Sequence, residues 1–292
     1  MIDFDFHVHS KYSNCARQSV EEAFLRAASA NIKTIAITDH DTIAAHREAR
    51  EMGQKYGITF IPGIEVSTML HEKLPLIEKG VGIHVLGLYI DDNQEIIDRY
   101  YLESKTQSKA RRKKLVTYLS AIHGIDLSGA SDSEKTIRSR LVESKVFAND
   151  ADAKKYLKSP DILNRFPKYH MSIPEAIKMI HELHGLAILA HPFRGENHLK
   201  LVQSQVVELI DFACSSGIDG LEVFHCDNFE ACGINYLLKK AKEKQLIISL
   251  GSDRHFFEDK CLGKYFVMED DLQAIAYDYE GIKNHLLKEK KI

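Results

Sequence analysis

Seven short runs rich in Ile, Val, Leu and Phe punctuate this chain, each bounded by turn or cap residues. They are "IDFDFHVH" (2–9), "KTIAITDH" (33–40), "TFIPGIEVS" (59–67), "GIHVLGLYI" (82–90), "GLAILAHP" (185–192), "DGLEVFH" (219–225) and "LIISLGSD" (246–253). Segments with helical spacing lie between most of them. "SVEEAFLRAASANI" (19–32) follows the first run, and Ser19 with Glu22 has the spacing of a capping box. "DTIAAHREAREMGQKYG" (41–57) follows the second, with Asp41 expected as its N-cap and Gly57 as its stop. Further helical patterns cover 172–185, 198–217 and 232–245. Strand–helix alternation predicts a parallel sheet, and seven such units predict a closed barrel.

The rhythm breaks once. Residues 98–171 hold no convincing strand. "RYYLESKTQSKARRKKLVTYLSAIHG" (99–124) reads as a long basic helix ended by Gly124, and helical pieces follow at 134–146 and 150–159. A structureless loop of that length does not suit a compact domain. The expected fold class is therefore α/β: a distorted (β/α)7 barrel from 1–97 and 172–292, with an inserted small helical subdomain at 98–171.

Composition narrows the function classes. The chain has 292 residues, 44% hydrophobic and 28% charged, which is ordinary for a globular protein with its own core. Cys15, Cys214, Cys226, Cys232 and Cys261 form an odd set without a C-x-x-C pair, as expected of reduced thiols in a cytoplasmic protein. The first residues lack the basic and apolar regions of a signal peptide, and no apolar run is long enough to span a membrane. A net charge of −3 sets up no global field for nucleic acid. The local run Lys105, Lys109, Arg111, Arg112, Lys113 and Lys114 is either a solvated helix face or a lining that attracts a polyanion such as a short RNA end.

The 15 histidines change the picture through their positions. His7 and His9 stand two apart on the first run, so both imidazoles face one way. The second run ends in Asp39, His40 and Asp41, and the third carries Glu65. The fifth ends in His191, the sixth in His225, and the seventh in Asp253 with His255 just beyond. His84 fits less neatly, because it lies early in the fourth run. The C-terminal ends of parallel barrel strands converge on one mouth. Each residue taken singly has a structural explanation, such as a packed rim histidine or a helix cap. Gathered at one mouth, buried carboxylates and imidazoles cost several kcal/mol unless they are paired or bound to a metal, and so many at one place point to a cation. Mixed His, Asp and Glu ligands suit Mn, Zn or Fe. There are too many for one tetrahedral ion, and Glu65 is placed to bridge two. A pair of ions supplies hydroxide near neutral pH and clamps an in-line displacement, which points to a phosphate ester as substrate.

"HVHS" (7–10), "TDHDT" (38–42), "PGIEVS" (62–67), "IHVLGL" (83–88), "LAHP" (189–192) and "GSDRH" (251–255) together resemble the motifs of the PHP (polymerase and histidinol phosphatase) superfamily. "KARRKKL" (109–115) and "HPFR" (191–194) resemble the subgroup of nucleoside 3′,5′-bisphosphate phosphatases and 5′-to-3′ exoribonucleases. The resemblance implies a distorted seven-stranded barrel and a phosphoesterase requiring two to three divalent ions (Mn, Zn or Fe). It implies that His7, His9, Glu65 and Asp253 hold a first ion. Glu65, His84 and His191 would hold a second, and His40 and His255 a third. At that third site Asn14 stands where the family has an aspartate.

The expected substrate is a phosphorylated small molecule or nucleotide, hydrolysed by a metal-bridging hydroxide. Arg194 is the candidate grip on a non-scissile phosphate, and His255 or His225 the candidate proton donor to the leaving oxygen. Arg254 either adds charge at the mouth or points to solvent. Three readings compete: a histidinol-phosphate-type phosphomonoesterase, a non-catalytic binding module of the same fold, and a metal-dependent C–N hydrolase.

Overall fold

The computed structural model describes residues 4–13, 15–195, 199–225, 228 and 233–255. Asn14, named above as a candidate ligand, lies outside them. The chain divides into two compact units, Met1–Ile97 with Ser172–Ile292, and Asp98–Met171.

In the first unit each apolar run forms a strand of one seven-stranded sheet. In chain order come β1 (Phe4–Val8), α1 (Val20–Ser29), β2 (Thr34–Ile37), α2 (His46–Tyr56), β3 (Thr59–Met69) and β4 (Gly82–Leu88). After the second unit follow α7 (Ile173–Glu182), β5 (Leu186–Leu189), β6 (Arg194–Gly195), β7 (Leu199–Lys200), α8 (Gln203–Ser215), β8 (Gly220–Phe224), α9 (Ile234–Lys244) and β9 (Ile247–Leu250). The sheet order is β1-β2-β3-β4-β5-β8-β9, with β6 and β7 paired apart from it. The ends of the sheet meet at one bridge, Val8 with Arg254, where His9 N donates to Arg254 O at 2.9 Å. The barrel is thus nearly closed.

One strand departs from the expected parallel sheet. β4 runs antiparallel to both β3 and β5. β3 and β4 are consecutive, with no helix to carry the chain back, so they form a long hairpin. The reversal explains His84. An early residue of a reversed strand lies at the same end as the late residues of its neighbours, and His84 pairs with Ser67.

Side-chain alternation then builds the interior in layers. Phe6, Ala36, Ile61, Leu86, Leu88, Leu186 and Ile188 meet in one apolar cluster. Continuing by twos from that layer gives His40 just beyond β2, where it bridges to Glu65, Glu65 on β3 and, in the reversed direction, His84 on β4. An apolar floor thus carries a polar mouth. On β1 the register shifts between Asp5 and Val8. Such a bulge re-aims side chains, and here it brings His7 to the same interior as Phe6. A second cluster, with Val20, Phe24, Ile35 and Ile37, packs α1 and α2 on the outside of β1 and β2.

The helices start where their caps dictate. Ser19 and Glu22 close a capping box on α1, and Ser172 and Glu175 do the same on α7. α2 begins at His46, later than expected, and Asp41 is not its N-cap. Asp41 sits at φ 58°, and its carboxylate instead accepts Ser67 N at 2.8 Å.

The second unit is helical. It takes most of α3 (Gln94–His123) and holds α4 (Glu134–Glu143), α5 (Asp150–Leu157) and α6 (Pro160–Arg165). Leu115, Leu119, Leu127, Ile137, Leu141, Leu157 and Ile162 form its own buried core. Of the basic run, Arg111 donates to Phe166 O and Glu134, and Arg112 to Ser131 O. These two arginines tie the helical unit together, while Lys109, Lys113 and Lys114 are exposed.

Candidate metal centre

The imidazoles and carboxylates of the strand ends converge around Glu65, whose side chain is 1% exposed. Its Oε2 lies 3.2 Å from His7 Nε2, 2.9 Å from His9 Nε2 and 3.2 Å from His40 Nδ1. Its Oε1 lies 2.7 Å from His84 Nδ1 and 3.2 Å from His191 Nε2. Asp253 closes the other side, with Oδ1 3.5 Å from His7 Nε2 and 3.1 Å from His9 Nε2. Glu65 therefore presents one oxygen to each of two groups of nitrogens.

Four of these atoms, His7 Nε2, His9 Nε2, Glu65 Oε2 and Asp253 Oδ1, form one tight set. The separations given above, with 3.2 Å between the two Nε2 atoms, run from 2.9 to 3.5 Å. Ligands about 2.0–2.1 Å from a tetrahedral ion stand about 3.3–3.4 Å from one another. The set has the dimensions of a cation's first coordination sphere. His40, Glu65 and His84 form a second set, and His9, Cys15, His40 and His255 a third.

Hydrogen bonds orient the rings for this task. His7 Nδ1 donates to Glu222 Oε1 at 2.9 Å, which leaves Nε2 with its lone pair facing the cluster. Ser13 Oγ donates to Asp39 Oδ1, so His9 Nδ1 donates to Ser13 Oγ at 3.1 Å, and His9 Nε2 likewise faces the carboxylates of the cluster. Glu222 Oε2 also accepts His191 N. Asp5 accepts both Ser252 N and Ser252 Oγ, fixing the chain just before Asp253 to β1. Backbone strain is placed at the same spot. His191 (φ 23°) and Asp253 (φ 50°) adopt left-handed conformations, which cost roughly 1–3 kcal/mol at a non-glycine residue and cluster at functional sites.

The electrostatics describe a site made for positive charge. Burial would raise the Glu65 carboxyl, but the surrounding imidazoles of His40, His84 and His7 outweigh it and hold it well below the usual range. Asp253 is likewise held low against its burial, chiefly by His7. Burial would push the His9 imidazole down, yet Asp253 and Glu65 raise it to about 9. Protons on imidazoles thus balance the carboxylates where a cation would do so. Glu65 Oε2, His40 Nδ1 and His191 Nδ1 are buried atoms with no hydrogen-bond partner. Such atoms cost about 1–3 kcal/mol each unless something else satisfies them, and a bound ion would satisfy the first two.

The other candidates fall around this centre. Arg194 donates to Asp253 Oδ2 at 2.9 Å with its side chain 32% exposed. His225 is fully buried, with Nε2 3.6 Å from Asp253 Oδ2. His255 Nδ1 donates to Asp253 O at 2.7 Å, which leaves its Nε2 as a lone-pair site. Arg254 is 1% exposed. It does not point to solvent, and its backbone joins the two ends of the sheet.

Sequence reasoning missed three residues. Glu222, Asp5 and Ser13 orient the cluster together with Asp39, and each is buried. The available signal was an acid inside an apolar run, as in "GLEVF" and "FDFHV". Cys15, set aside as an ordinary thiol, stands among histidines.

Known proteins resemble this chain in sequence and in fold. The PHP domain profile matches residues 5–173. A 5′-3′ exoribonuclease from Haemophilus influenzae is 31% identical over 265 residues, covering 87% of this chain and 90% of that protein. A 3′,5′-nucleoside bisphosphate phosphatase from Chromobacterium violaceum is 25% identical over 236 residues, covering 76% of this chain and 77% of that protein. Among solved structures, an amidohydrolase from Chromobacterium violaceum with bound sulfate and no metal superposes with a TM-score of 0.66 at 22% identity, covering 94% of this chain and 96% of that one. At that identity the likeness speaks for the fold alone.

Proposed function

The chain belongs to the PHP domain family, and from that premise we propose that it is a metal-dependent phosphoesterase acting on nucleotide phosphate esters. The observation that carries this reading is the placement of Glu65, buried, with each carboxylate oxygen facing a separate group of imidazoles. His7, His9, Glu65 and Asp253 would hold one divalent ion, and Glu65, His84 and His191, with His40 beside them, a second. Ions bound there supply Lewis-acid polarisation of phosphoryl oxygens and lower the pKa of water.

The chain's own residues do the rest. Arg194 is anchored by Asp253 and partly exposed. Its planar fork suits a bidentate grip on a second, non-scissile phosphate. That feature favours a bisphosphate or the end of an oligonucleotide over a monophosphate. His225, fully buried with Nε2 3.6 Å from Asp253 Oδ2, packs beside that carboxylate. His255, with its one proton committed to Asp253 O, is better suited to ligation than to acid catalysis. In this reading the departing alkoxide takes its proton from water.

The test is phosphate release by the Mn²⁺-loaded protein from adenosine 3′,5′-bisphosphate and histidinol phosphate, with nucleotide release from a short 5′-phosphorylated RNA run alongside. Turnover on the bisphosphate or the RNA, with little on histidinol phosphate, is the expected result. Turnover on histidinol phosphate alone would move the protein to the histidinol-phosphatase reading. Silence on all three with metal bound would sink the enzymatic proposal as stated.

A further inference from the structure

The loop after β1 brings an aromatic ring to the rim of the metal centre. Ser13 N donates to Ser10 O at 2.8 Å and closes a tight turn, with Lys11 and Tyr12 at its tip. Ser13 Oγ, on the next side chain along, accepts His9 Nδ1 at 3.1 Å and His40 N at 2.9 Å. The turn is therefore built onto two of the candidate ligands. Tyr12 is 39% exposed, and among the described residues it is the one exposed aromatic side chain. A ring buried in a core is explained by its packing, and a ring left in water is not.

An exposed tyrosine is ordinarily free to turn, and this one is tethered. Its hydroxyl donates to Glu48 Oε2 at 3.1 Å, on the first turn of α2. Lys11 Nζ lies 3.2 Å from the same oxygen, and 5.4 Å from the Tyr12 ring centroid. The ring is held at its hydroxyl and flanked by a cation, yet solvent still reaches it. Fixing an aromatic plane before its ligand arrives lowers the entropy cost of binding on it.

The position of the ring relative to the candidate phosphate grip is a second, independent observation. His9 gives Nδ1 to Ser13 and turns Nε2 toward Asp253 Oδ1 at 3.1 Å, while Asp253 Oδ2 accepts Arg194. The turn of Tyr12 and the guanidinium of Arg194 thus attach at opposite ends of one imidazole. A nucleoside bisphosphate needs both, because its base and its second phosphate leave the ribose in different directions.

We propose that Tyr12, tethered by Glu48, is the platform on which the nucleobase of the substrate stacks, and that it selects nucleotides over phosphate esters of plain sugars. Every base has a π-face, so the selectivity is for the presence of a base and not for one base. The inference rests on the reading of this mouth as a nucleotide site, and its readout is affinity, not turnover.

The experiment is calorimetric titration of the Mn²⁺-loaded full chain with two phosphonates that it cannot hydrolyse. One is adenosine 5′-phosphate with a methylene in place of the ester oxygen, and the other is ribose 5-phosphate changed in the same way. The parent is expected to bind the adenosine compound roughly 5- to 140-fold more tightly, the equivalent of the ~1–3 kcal/mol that stacking one base supplies. Tyr12→Ala is expected to bring the two affinities together. Tyr12→Phe and Glu48→Ala, which keep the ring and release its tether, are expected to retain part of the preference. Circular dichroism and metal content equal to the parent's check that each variant keeps its fold and its centre. Equal affinities in the parent, or a preference of full size in Tyr12→Ala, overturn the proposal. A Tyr12-dependent preference in a protein that hydrolyses no phosphate ester would refute the phosphoesterase reading and leave the platform standing. Nucleotide hydrolysis with equal affinities would do the reverse.

Discussion

At the scale of single residues, the centre depends on groups that touch no candidate ion. Glu222 is the clearest. It accepts the Nδ1 proton of His7 and thereby fixes which nitrogen faces Glu65 and Asp253. Partners of this kind typically account for about 10–100-fold in metal affinity. Glu222→Gln keeps the shape and can still accept a hydrogen bond, but it removes the charge. Metal affinity, measured by chelator competition, should fall within that range while the thermal transition of the metal-free protein changes little. An unaltered affinity would mean that His7 is oriented by packing alone. Gly251 is a second such residue. A Cβ there would lie 2.1 Å from His7 Cβ and 2.7 Å from Glu222 Oε1. Neither neighbour can retreat without disturbing the cluster. Gly251→Ala should cost roughly 1–3 kcal/mol, as overpacking does, and should lower metal content as well. Full metal content with parental urea stability would refute that account.

At the scale of elements, strand and helix types follow from periodicity, and the sequence expectation of seven strands matches seven strands in the sheet. The direction of β4 was not legible. Periodicity reports which residues share a face, not which way a strand runs, and only the missing helix between β3 and β4 hinted at a hairpin. The clustering was legible where polar residues fall toward strand ends, as at His7, Glu65, His191 and Asp253. Glu222 was not, because an acid within an apolar run looks the same whether it faces a core histidine or a bulge. One pairing between elements yields a pH prediction. His181 on α7 bonds Asp219, which also accepts Ala187 N at the start of β5. That hydrogen bond raises the His181 pKa. A raised histidine contributes stability that is full below its unfolded pKa, about 6.5, and is lost as pH rises through the folded value. The group is half-exposed, so the effect is small. The stability gap between the parent and His181→Asn, read from urea midpoints, should be widest below about pH 6 and close above the folded pKa. A gap that widens with pH would reverse the assignment.

At the scale of the whole molecule, the chain is organised as two compact units, with one continuous helix, α3, running from the first into the second. Each unit has a core whose members come from that unit alone: Phe6, Ala36, Ile61 and Leu86 in the barrel, Leu119, Ile137, Leu141 and Leu157 in the helical unit. Separate cores predict separate responses to damage. Leu141 is fully buried, and Leu→Ala changes in such positions cost about 2–5 kcal/mol. We propose that residues 98–171 behave as an inserted subdomain, so that Leu141→Ala loosens that unit and spares the metal centre. Hydrogen exchange by mass spectrometry should then quicken in peptides from 98–171, leave the barrel strands protected as before, and leave metal content unchanged. If the strands of the barrel lost protection to the same degree, the two cores would be unfolding as one cooperative system, and the helical segment would have to be regarded as part of the scaffold that holds His7, Glu65 and Asp253 in register.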